Sequence, residues 1–293
     1  MNELRQLQNR AKIVLGVTIP LAIIAGIALF LYKPEYIFLA IIIIIIPIIY
    51  CAVIGKKFKS IFKDVFVKDA LKAIFSDLVF DPSRGIDRNT IANTGMLYMG
   101  NRFSSNDYIS GKYKDVSFVQ SDVTIQDVET HTDSKGHTHT DVDNILVGKW
   151  MIFDFNKNFA ANIQVKSKFF SHTGLAFRIG ESRYKTVKME DEDFNKKFSV
   201  HAQSEHDAFY ILTPQFMEKI KNLSNGLRGK VMFCFIDNKL HIALNNNRDS
   251  FEYGVFKKLD ESVINEYVSQ EIKIITDFVD KLSLENDIFK KEG

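Results

Sequence analysis

Two apolar runs at the start of the chain decide its fold: IVLGVTIPLAIIAGIALFLY at Ile13–Tyr32 and YIFLAIIIIIIPIIYCAVI at Tyr36–Ile54. Neither run contains a charged residue. A helix needs about 20 apolar residues to cross the hydrocarbon core of a bilayer, and both runs have that length. Only the short loop 33–35 separates them. The sequence therefore predicts a transmembrane hairpin over residues 13–55.

Charge at the two ends of this hairpin predicts its orientation, because Lys and Arg close to a span stay on the cytoplasmic side. The basic residues that flank the runs are Arg5, Arg10, Lys12, Lys56, Lys57, Lys59 and Lys63. We therefore expect a cytoplasmic N-terminal tail over residues 1–12 and a large cytoplasmic part from residue 56. A secretory signal peptide explains the first run less well, since a second apolar run follows at once. The same lysines would attract anionic lipid, so the bilayer is an expected partner.

Overall composition argues against nucleic-acid binding. The 38 Lys and Arg residues against 36 Asp and Glu residues leave a net charge of only +2, too little for a basic field. Cys51 lies in the second apolar run and Cys234 in an apolar segment, so neither is placed for a disulfide. This cysteine usage fits a reducing compartment.

Helical spacing continues directly after the second apolar run. Apolar residues recur at steps of three and four, namely Phe58, Ile61, Phe62, Val65, Phe66, Ile74, Leu78 and Val79. The pattern stops at Asp81, because Pro82 moves the residue before it out of the helical region. The spacing predicts a linking helix over about 57–80 at the start of a soluble domain that covers residues 56–293.

Alternation with a period of two replaces this spacing between residues 94 and 190. The predicted strands are Met96–Met99, Asp107–Gly111, Val116–Val119, Val123–His131, His139–Val147, Lys149–Asp154, Asn162–Val165 and Tyr184–Met189. Gly, Asn, Ser and Asp in the intervening turns favour hairpins. The pattern predicts a mainly antiparallel β core.

Short helices and one more hairpin complete the chain. Helices are predicted at Glu190–Lys197 and after the capping residues Ser204, Thr213 and Asp260. The further predicted strands are Phe198–Ala202, Val231–Ile236 and Lys239–Leu244. We therefore expect the α+β class: a two-helix transmembrane hairpin followed by a soluble domain with a mainly antiparallel β core and flanking helices.

Several segments, in this order, resemble a bacterial family of unknown function catalogued as number 3137. They are Asp107–Gly111 (DYISG), Gly148–Phe159 (GKWMIFDFNKNF), Phe194–Val200 (FNKKFSV), Ala208–Met217 (AFYILTPQFM), Gly229–Leu244 (GKVMFCFIDNKLHIAL) and Phe251–Glu252. Together with the two apolar runs and the closing helix, they cover nearly the whole chain. The resemblance implies a membrane-anchored bacterial protein, and it supplies no reaction, cofactor or catalytic residue.

One stretch departs from this family. A Gly-Leu-Phe-like sequence is usual where this chain has Gly148, Lys149 and Trp150. We interpret the difference as a tolerated change on the surface.

The stretch ETHTDSKGHTHTD at residues 129–141 has the strongest metal-ligand character. A three-residue loop at 134–136 places glycine at the left-handed position that such loops favour. That register pairs His131 with His139 and Asp133 with His137, so these four side chains share one face. Imidazole suits zinc, copper and nickel. A two- or four-residue loop would send His131 to the other face and remove it from the cluster.

A solvent-exposed ribbon that binds no metal is the competing interpretation, and we favour it. Both faces of the ribbon are polar, and no residue that would orient the imidazoles is evident. We therefore assign no catalytic, cofactor-binding or metal-binding residue and expect no cofactor. The acidic run Glu190–Asp193 is more typical of a helix start than of a magnesium site.

Familiar catalytic motifs are absent from the sequence, including nucleophile elbows, phosphate-binding loops and Cys-x-x-Cys pairs. His201 and His241 have no evident partners, and Cys234 is predicted to be an inert core residue. This favours a binding or scaffold module at the inner membrane face over an enzyme, with an unknown protein or small molecule as partner and no nucleic acid. The alternative is a metal-dependent sensor or enzyme centred on His131, His137 and His139.

Overall fold

The computed structural model describes residues 1–133, 136–155, 162–168 and 184–284. The chain divides into two compact units. The first comprises Met1–Ala73 with Phe251–Glu271, and the second comprises Ile74–Ser250 with Ile272–Gly293. Residues 56–73, which the sequence assigns to the soluble domain, therefore group with the N-terminal helices.

Two long helices joined by a short turn dominate the first unit. The first long helix contains α1 (Asn2–Ile13), a π-helical turn (Val14–Thr18) and α2 (Ile19–Tyr32). A 3-10 turn (Pro34–Tyr36) follows it. The second long helix contains α3 (Ile37–Phe62), a π-helical turn (Lys63–Val67) and α4 (Lys68–Ile74). These segments of 31 and 41 residues are long and apolar enough to cross a membrane by length and composition.

The segment 251–271 packs against the end of α3 within this first unit. The ring of Phe62 stacks on that of Tyr253 with 5.0 Å between centroids. The Lys63 ammonium lies 3.1 Å from a carboxylate oxygen of Glu252. Both sides of this contact are buried or half-buried, so the unit is held by packing and charge from two distant parts of the chain.

The helix after the second apolar run is shorter than predicted. The prediction extends it to residue 80, but α4 ends at Ile74 and Ser76–Asp81 forms strand β1. Phe80 of this strand lies opposite Ile109. The apolar residues near its end suit either a helix or a strand, and pairing with a strand distant in sequence decides between them.

The second unit is built on an antiparallel sheet. Its further strands are β2 (Arg102–Tyr113), β3 (Val116–Thr132), β4 (Thr138–Asp154), β5 (Ile163–Ser167), β6 (Lys185–Val187), β7 (Phe198–Ala202), β8 (Lys230–Ile236) and β9 (Lys239–Asn245). Within the described ranges the sheet has nine strands in the order β1-β2-β3-β4-β9-β8-β5-β7-β6. With the helices that flank it, this sheet confirms the α+β class.

Most helices of the C-terminal half begin at the predicted capping residues. The remaining helices are α5 (Arg88–Ala92), α6 (Glu192–Lys197), α7 (Glu205–Ile211), α8 (Pro214–Gly226) and α9 (Glu261–Leu282). Ser204 accepts a hydrogen bond from the backbone N–H of Asp207, and Thr213 accepts one from Phe216. These bonds satisfy N–H groups that a helix start leaves without an intrahelical partner.

Different layers cover the two faces of the sheet. On the first face, residues 86–97 pack over Trp150, Met232 and Cys234. On the second face, Phe216 of α8 lies 6.1 Å from Phe235, and Phe278 of α9 lies 6.2 Å from Phe153, both between ring centroids. The alternation of side chains along each strand separates these two cores.

The predicted strand at Met96–Met99 is not a strand. These residues follow α5 in an irregular segment, yet Met96 and Leu97 are buried in the first-face core. A short apolar run has the same pattern whether it pairs with a strand or covers a sheet. The prediction was wrong because only contacts distant in sequence separate the two cases.

The interpretation of the stretch at residues 148–150 as a surface change was also wrong. Lys149 is 1% exposed and Trp150 is fully buried. Strand β4 lies inside the sheet between β3 and β9, so consecutive residues point into opposite, covered faces. A lysine in that position enters the second-face core, where it must find a partner.

Candidate functional site

The histidine-rich hairpin has the register that the sequence predicts. His131 lies opposite His139, and Glu129 lies opposite Asp141. The backbone N–H of Asp133 donates to the carbonyl of His137 over 2.9 Å. Gly136 has a φ of +84°, as the predicted loop requires, whereas residues 134 and 135 of that loop lie outside the described residues.

Each histidine of this hairpin pairs with its own carboxylate. The nitrogen–oxygen distances are 3.2 Å for His131 with Glu129, 3.1 Å for His137 with Asp133, and 2.9 Å for His139 with Asp141. All six side chains are exposed. In the part of the chain that the structure describes, no group of three or more His, Cys, Asp or Glu residues is placed to hold a metal ion. The three histidines thus share a face without forming a common ligand set.

The acidic run at residues 190–193 opens a helix. Asp191 caps α6 by accepting a hydrogen bond from the backbone N–H of Phe194 over 2.9 Å. The Lys221 ammonium lies 2.7 Å from the same carboxylate and is the main reason that its pKa is lowered. This arrangement agrees with the predicted helix start.

A buried ion pair lies in the second-face core. Lys149 Nζ lies 3.6 Å from Asp122 Oδ1, and both side chains are almost completely buried. The hydroxyl of Ser250 donates to the same carboxylate oxygen over 2.6 Å, and its backbone N–H donates to the other. Burial raises the pKa of Asp122, while Lys149 and Ser250 oppose that rise. Since Ser250 is itself fully buried, we assign this cluster a structural role.

A cleft on the first face is the better candidate for a binding site. Its volume is about 320 Å³. It lies between α5, the turn that follows this helix, and strands of the sheet. The lining residues are Thr90, Asn93, Thr94, Val119, Ile152, Ile236, Asp237, Lys239 and His241. An apolar surface with a few polar groups at this size is typical of small-ligand sites.

The orientation of His241 in this cleft is fixed by Trp150. The indole Nε1–H of Trp150 lies 3.3 Å from Nδ1 of His241. Because an indole N–H only donates, Nδ1 must accept, and the neutral ring therefore carries its proton on Nε2. In the described ranges Nε2 has no protein hydrogen-bond partner. The cleft thus contains a directed donor that no side chain satisfies.

Burial keeps this imidazole neutral. It lowers the pKa of His241 to about 4, and the nearby charge of Lys239 adds to the effect. Lys239 itself pairs with Asp154 over 3.1 Å. At neutral pH the cleft therefore offers an uncharged N–H donor beside a lysine whose charge is already balanced.

Sequence reasoning missed this site. His241 and its partner Trp150 lie 91 residues apart, and no motif links them. Alternation along β9 places His241 on a polar phase, which suggests an exposed residue. The predicted inert role of Cys234 agrees with the structure, since burial raises the pKa of its thiol to about 12.

Comparisons with known proteins give a family match and a distant structural similarity. Residues 144–284 match the model of a family described as "Protein of unknown function (DUF3137)". No curated protein matches. Among solved structures, the crystal structure of the mycobacterial trehalose monomycolate transport factor A, TtfA, is similar at a TM-score of 0.40 and 7% sequence identity. That alignment covers 74% of this chain and 92% of the other. A likeness at this level indicates neither ligand nor activity.

The family match includes the second part of β4, all of β8 and β9, and the helices that cover the second face. It contains five of the lining residues of the cleft, namely Ile152, Ile236, Asp237, Lys239 and His241. Over residues 144–284, the chain therefore matches the family of unknown function that the order of its sequence segments indicated, family 3137.

Proposed function

We propose that this protein is a membrane-anchored binding module of the inner membrane face. In this proposal the hairpin at 13–55 spans the cytoplasmic membrane, residues 56–293 lie in the cytoplasm, and the cleft at His241 holds a small ligand. The apolar helices and the basic residues at their ends support the placement. The Nε2–H of His241, which has no hydrogen-bond partner among the described residues, is the observation that carries the binding role.

The placement predicts resistance of the large domain to protease added outside the cell. We expect trypsin on intact spheroplasts to leave residues 56–293 uncut, because both ends of the hairpin carry the positive charge that stays inside. Inside-out vesicles are the control, and there the same domain should be digested. Digestion of the domain in spheroplasts would overturn the orientation, and recovery of the protein in the soluble fraction would overturn the anchoring.

The chemistry of the cleft selects a class of ligand. A neutral imidazole N–H pairs with an acceptor oxygen, and the apolar side chains of Val119, Ile152 and Ile236 suit a short hydrocarbon chain. Asp237 and the paired Lys239 leave no excess of positive charge. We therefore propose a neutral acyl compound, whose carbonyl oxygen accepts from His241.

Hexanoate and hexanamide test this proposal, because they share an acyl oxygen and differ in charge. Trp150 is the sole tryptophan and hydrogen-bonds to His241, so its fluorescence should report binding to the full chain in detergent. We expect hexanamide to change the emission with saturation and hexanoate to bind more weakly, because the charge of Asp237 opposes a carboxylate. His241→Phe removes the donor at similar size and should weaken binding by about tenfold, the value of one hydrogen bond.

The exposed residue His206 provides the matched control. His206→Phe should bind like the unaltered protein, since its imidazole lies outside the cleft. An affinity of His241→Phe for hexanamide equal to that of the unaltered protein would remove the histidine from the site. An absence of saturation with hexanamide would overturn the proposed ligand class.

We do not propose the hairpin histidines as a second site. Their imidazoles each face a separate carboxylate, and no third ligand joins any pair in the described ranges.

A further inference from the structure

A second cleft lies within the first unit, beside the start of the first long helix. Its volume is about 440 Å³. Residues of α1 form one wall, and the segment before α9 forms the other. The lining residues are Arg5, Gln8, Asn9, Lys12, Phe256, Lys257, Lys258 and Leu259.

Gln8 holds these two walls together. Its side-chain amide donates to the carbonyl of Val255 over 2.8 Å and to that of Lys257 over 2.7 Å. Its oxygen accepts from Lys12 Nζ over 3.4 Å. Gln8 is only 8% exposed, so the segment at residues 255–257 is held in place by a buried contact.

This cleft lies close to the N-terminal end of the first apolar run, which begins at Ile13. Gln8 precedes Ile13 by five residues, which corresponds to about 8 Å along a helix. Headgroups of a bilayer occupy that depth when the apolar run fills the hydrocarbon core. The position of the cleft therefore depends on the membrane placement proposed above.

The positive charge of the cleft favours an anionic ligand. Four of its lining residues are basic, and Lys258 is balanced by Asp260 over 3.0 Å. Lys257 lies over the rings of Tyr253 and Tyr267, which do not neutralise it. In the described part of the chain, Arg5 has no acidic partner.

An exposed aromatic residue completes the surface. Phe256 lines the cleft and is 50% exposed, which is unusual for so large an apolar side chain. Aromatic residues beside basic ones are typical of segments that contact the boundary between headgroups and acyl chains. A soluble anion would give Phe256 nothing to contact, whereas a lipid would.

We propose that this cleft binds the phosphate of an anionic phospholipid from the cytoplasmic leaflet. Arg5, Lys12 and Lys257 contact the phosphate, and Phe256 contacts the glycerol region of the lipid. The long helices alone would place the chain in any bilayer, and this site adds a preference for anionic lipid.

Native mass spectrometry of the full chain, released from detergent with added lipid, tests the proposal. We expect retention of dioleoyl phosphatidylglycerol over dioleoyl phosphatidylcholine. The triple variant Arg5→Gln/Lys12→Gln/Lys257→Gln should lower phosphatidylglycerol retention by about tenfold or more, since each charge near anionic lipid contributes separately. Phe256→Ser should lower it less while leaving all charges in place.

The matched control removes three exposed charges from the sheet, by Lys185→Gln/Lys188→Gln/Lys230→Gln. This variant should keep the full preference. Equal loss in both triple variants would show a general charge effect and overturn the site. Retention of glycerol 3-phosphate as strong as that of the lipid would assign the cleft to a soluble phosphate and also overturn it. The assay uses purified protein, so its outcome is independent of the orientation that protease tests.

Each variant is first checked by its thermal transition in far-UV circular dichroism, which reports on the helices of the first unit. An unchanged midpoint shows that lost retention reflects the cleft and not unfolding. If the triple variant unfolds, Phe256→Ser and the single variant Arg5→Gln decide the question. Full lipid retention in both would overturn the proposal.

Discussion

Replacing Asp122 with asparagine is expected to lower the free energy of unfolding by about 3–5 kcal/mol, because it breaks a buried charged cluster from one side. Asp122 accepts hydrogen bonds from both the hydroxyl and the backbone N–H of Ser250, and it lies beside Lys149. An asparagine amide would turn an N–H donor toward one of these donors. It would also remove the negative charge that lies 3.6 Å from the buried Lys149 ammonium.

Trp150 fluorescence during urea unfolding of the full chain in detergent measures this loss, since the tryptophan follows Lys149 on the same strand. The double variant Asp122→Asn/Lys149→Met should recover at least half of it, because the buried ammonium that Asp122 contacts is removed as well. An exposed ion pair supplies the control: Asp154→Asn breaks the contact with Lys239 and should cost about 0.5 kcal/mol or less. Similar losses for Asp122→Asn and Asp154→Asn would contradict the role assigned to the buried cluster.

Replacing Lys166 with methionine is expected to stabilise the protein at neutral pH. Lys166 lies on β5 and is 2% exposed. Burial lowers the pKa of its ammonium from 10.5 to about 7, which corresponds to roughly 4–5 kcal/mol across the whole shift. Methionine has a similar length and no charge to desolvate, so most of this cost should disappear.

The sign of the pH dependence follows from proton binding. An unfolded lysine keeps its proton up to about pH 10.5, whereas Lys166 in the folded protein releases it near pH 7. The unfolded state therefore binds more protons between these values, and stability should rise with pH across that window. We expect Lys166→Met to gain most at pH 7 and to approach the unaltered protein near pH 10.

Urea unfolding from pH 7 to pH 10, again followed by Trp150 fluorescence, measures the difference between the two proteins. Lys168→Met is the matched control, because Lys168 is exposed two residues away. The free energy of unfolding of Lys168→Met should change with pH in parallel with that of the unaltered protein. If Lys166→Met also gave a parallel curve, the folded lysine would hold its proton as an unfolded one does.

Local signals in the sequence predict the parts of this fold that local chemistry decides. Thr213 followed by Pro214 favours the start of a helix, because the threonine side chain and the proline ring both act within the first helical turn. Asp237 and Asn238 adopt positive φ angles and close the predicted hairpin between β8 and β9. Gly136 likewise has the positive φ that its predicted loop position requires, and His131 lies opposite His139 as predicted.

Residues whose environment comes from distant segments escaped prediction. Lys149 follows a glycine and lies at one end of a predicted strand. Only its neighbours in the folded sheet show that its side chain is buried. The cleft at His241 requires α5, β4 and β9 together, and its donor depends on a tautomer set by Trp150. Such a site has no linear motif, since its geometry arises from strand order.

The two-part composition of the first unit has a consequence for biosynthesis. Its N-terminal segment leaves the ribosome before residues 74–250, and its second segment, 251–271, emerges only after them. At 5–20 residues per second, about 10–35 seconds separate the two. The helical hairpin is thus complete and able to enter a bilayer while its later segment is still untranslated. Until then, Phe62 of α3 lacks the ring of Tyr253 on which it stacks in the folded protein.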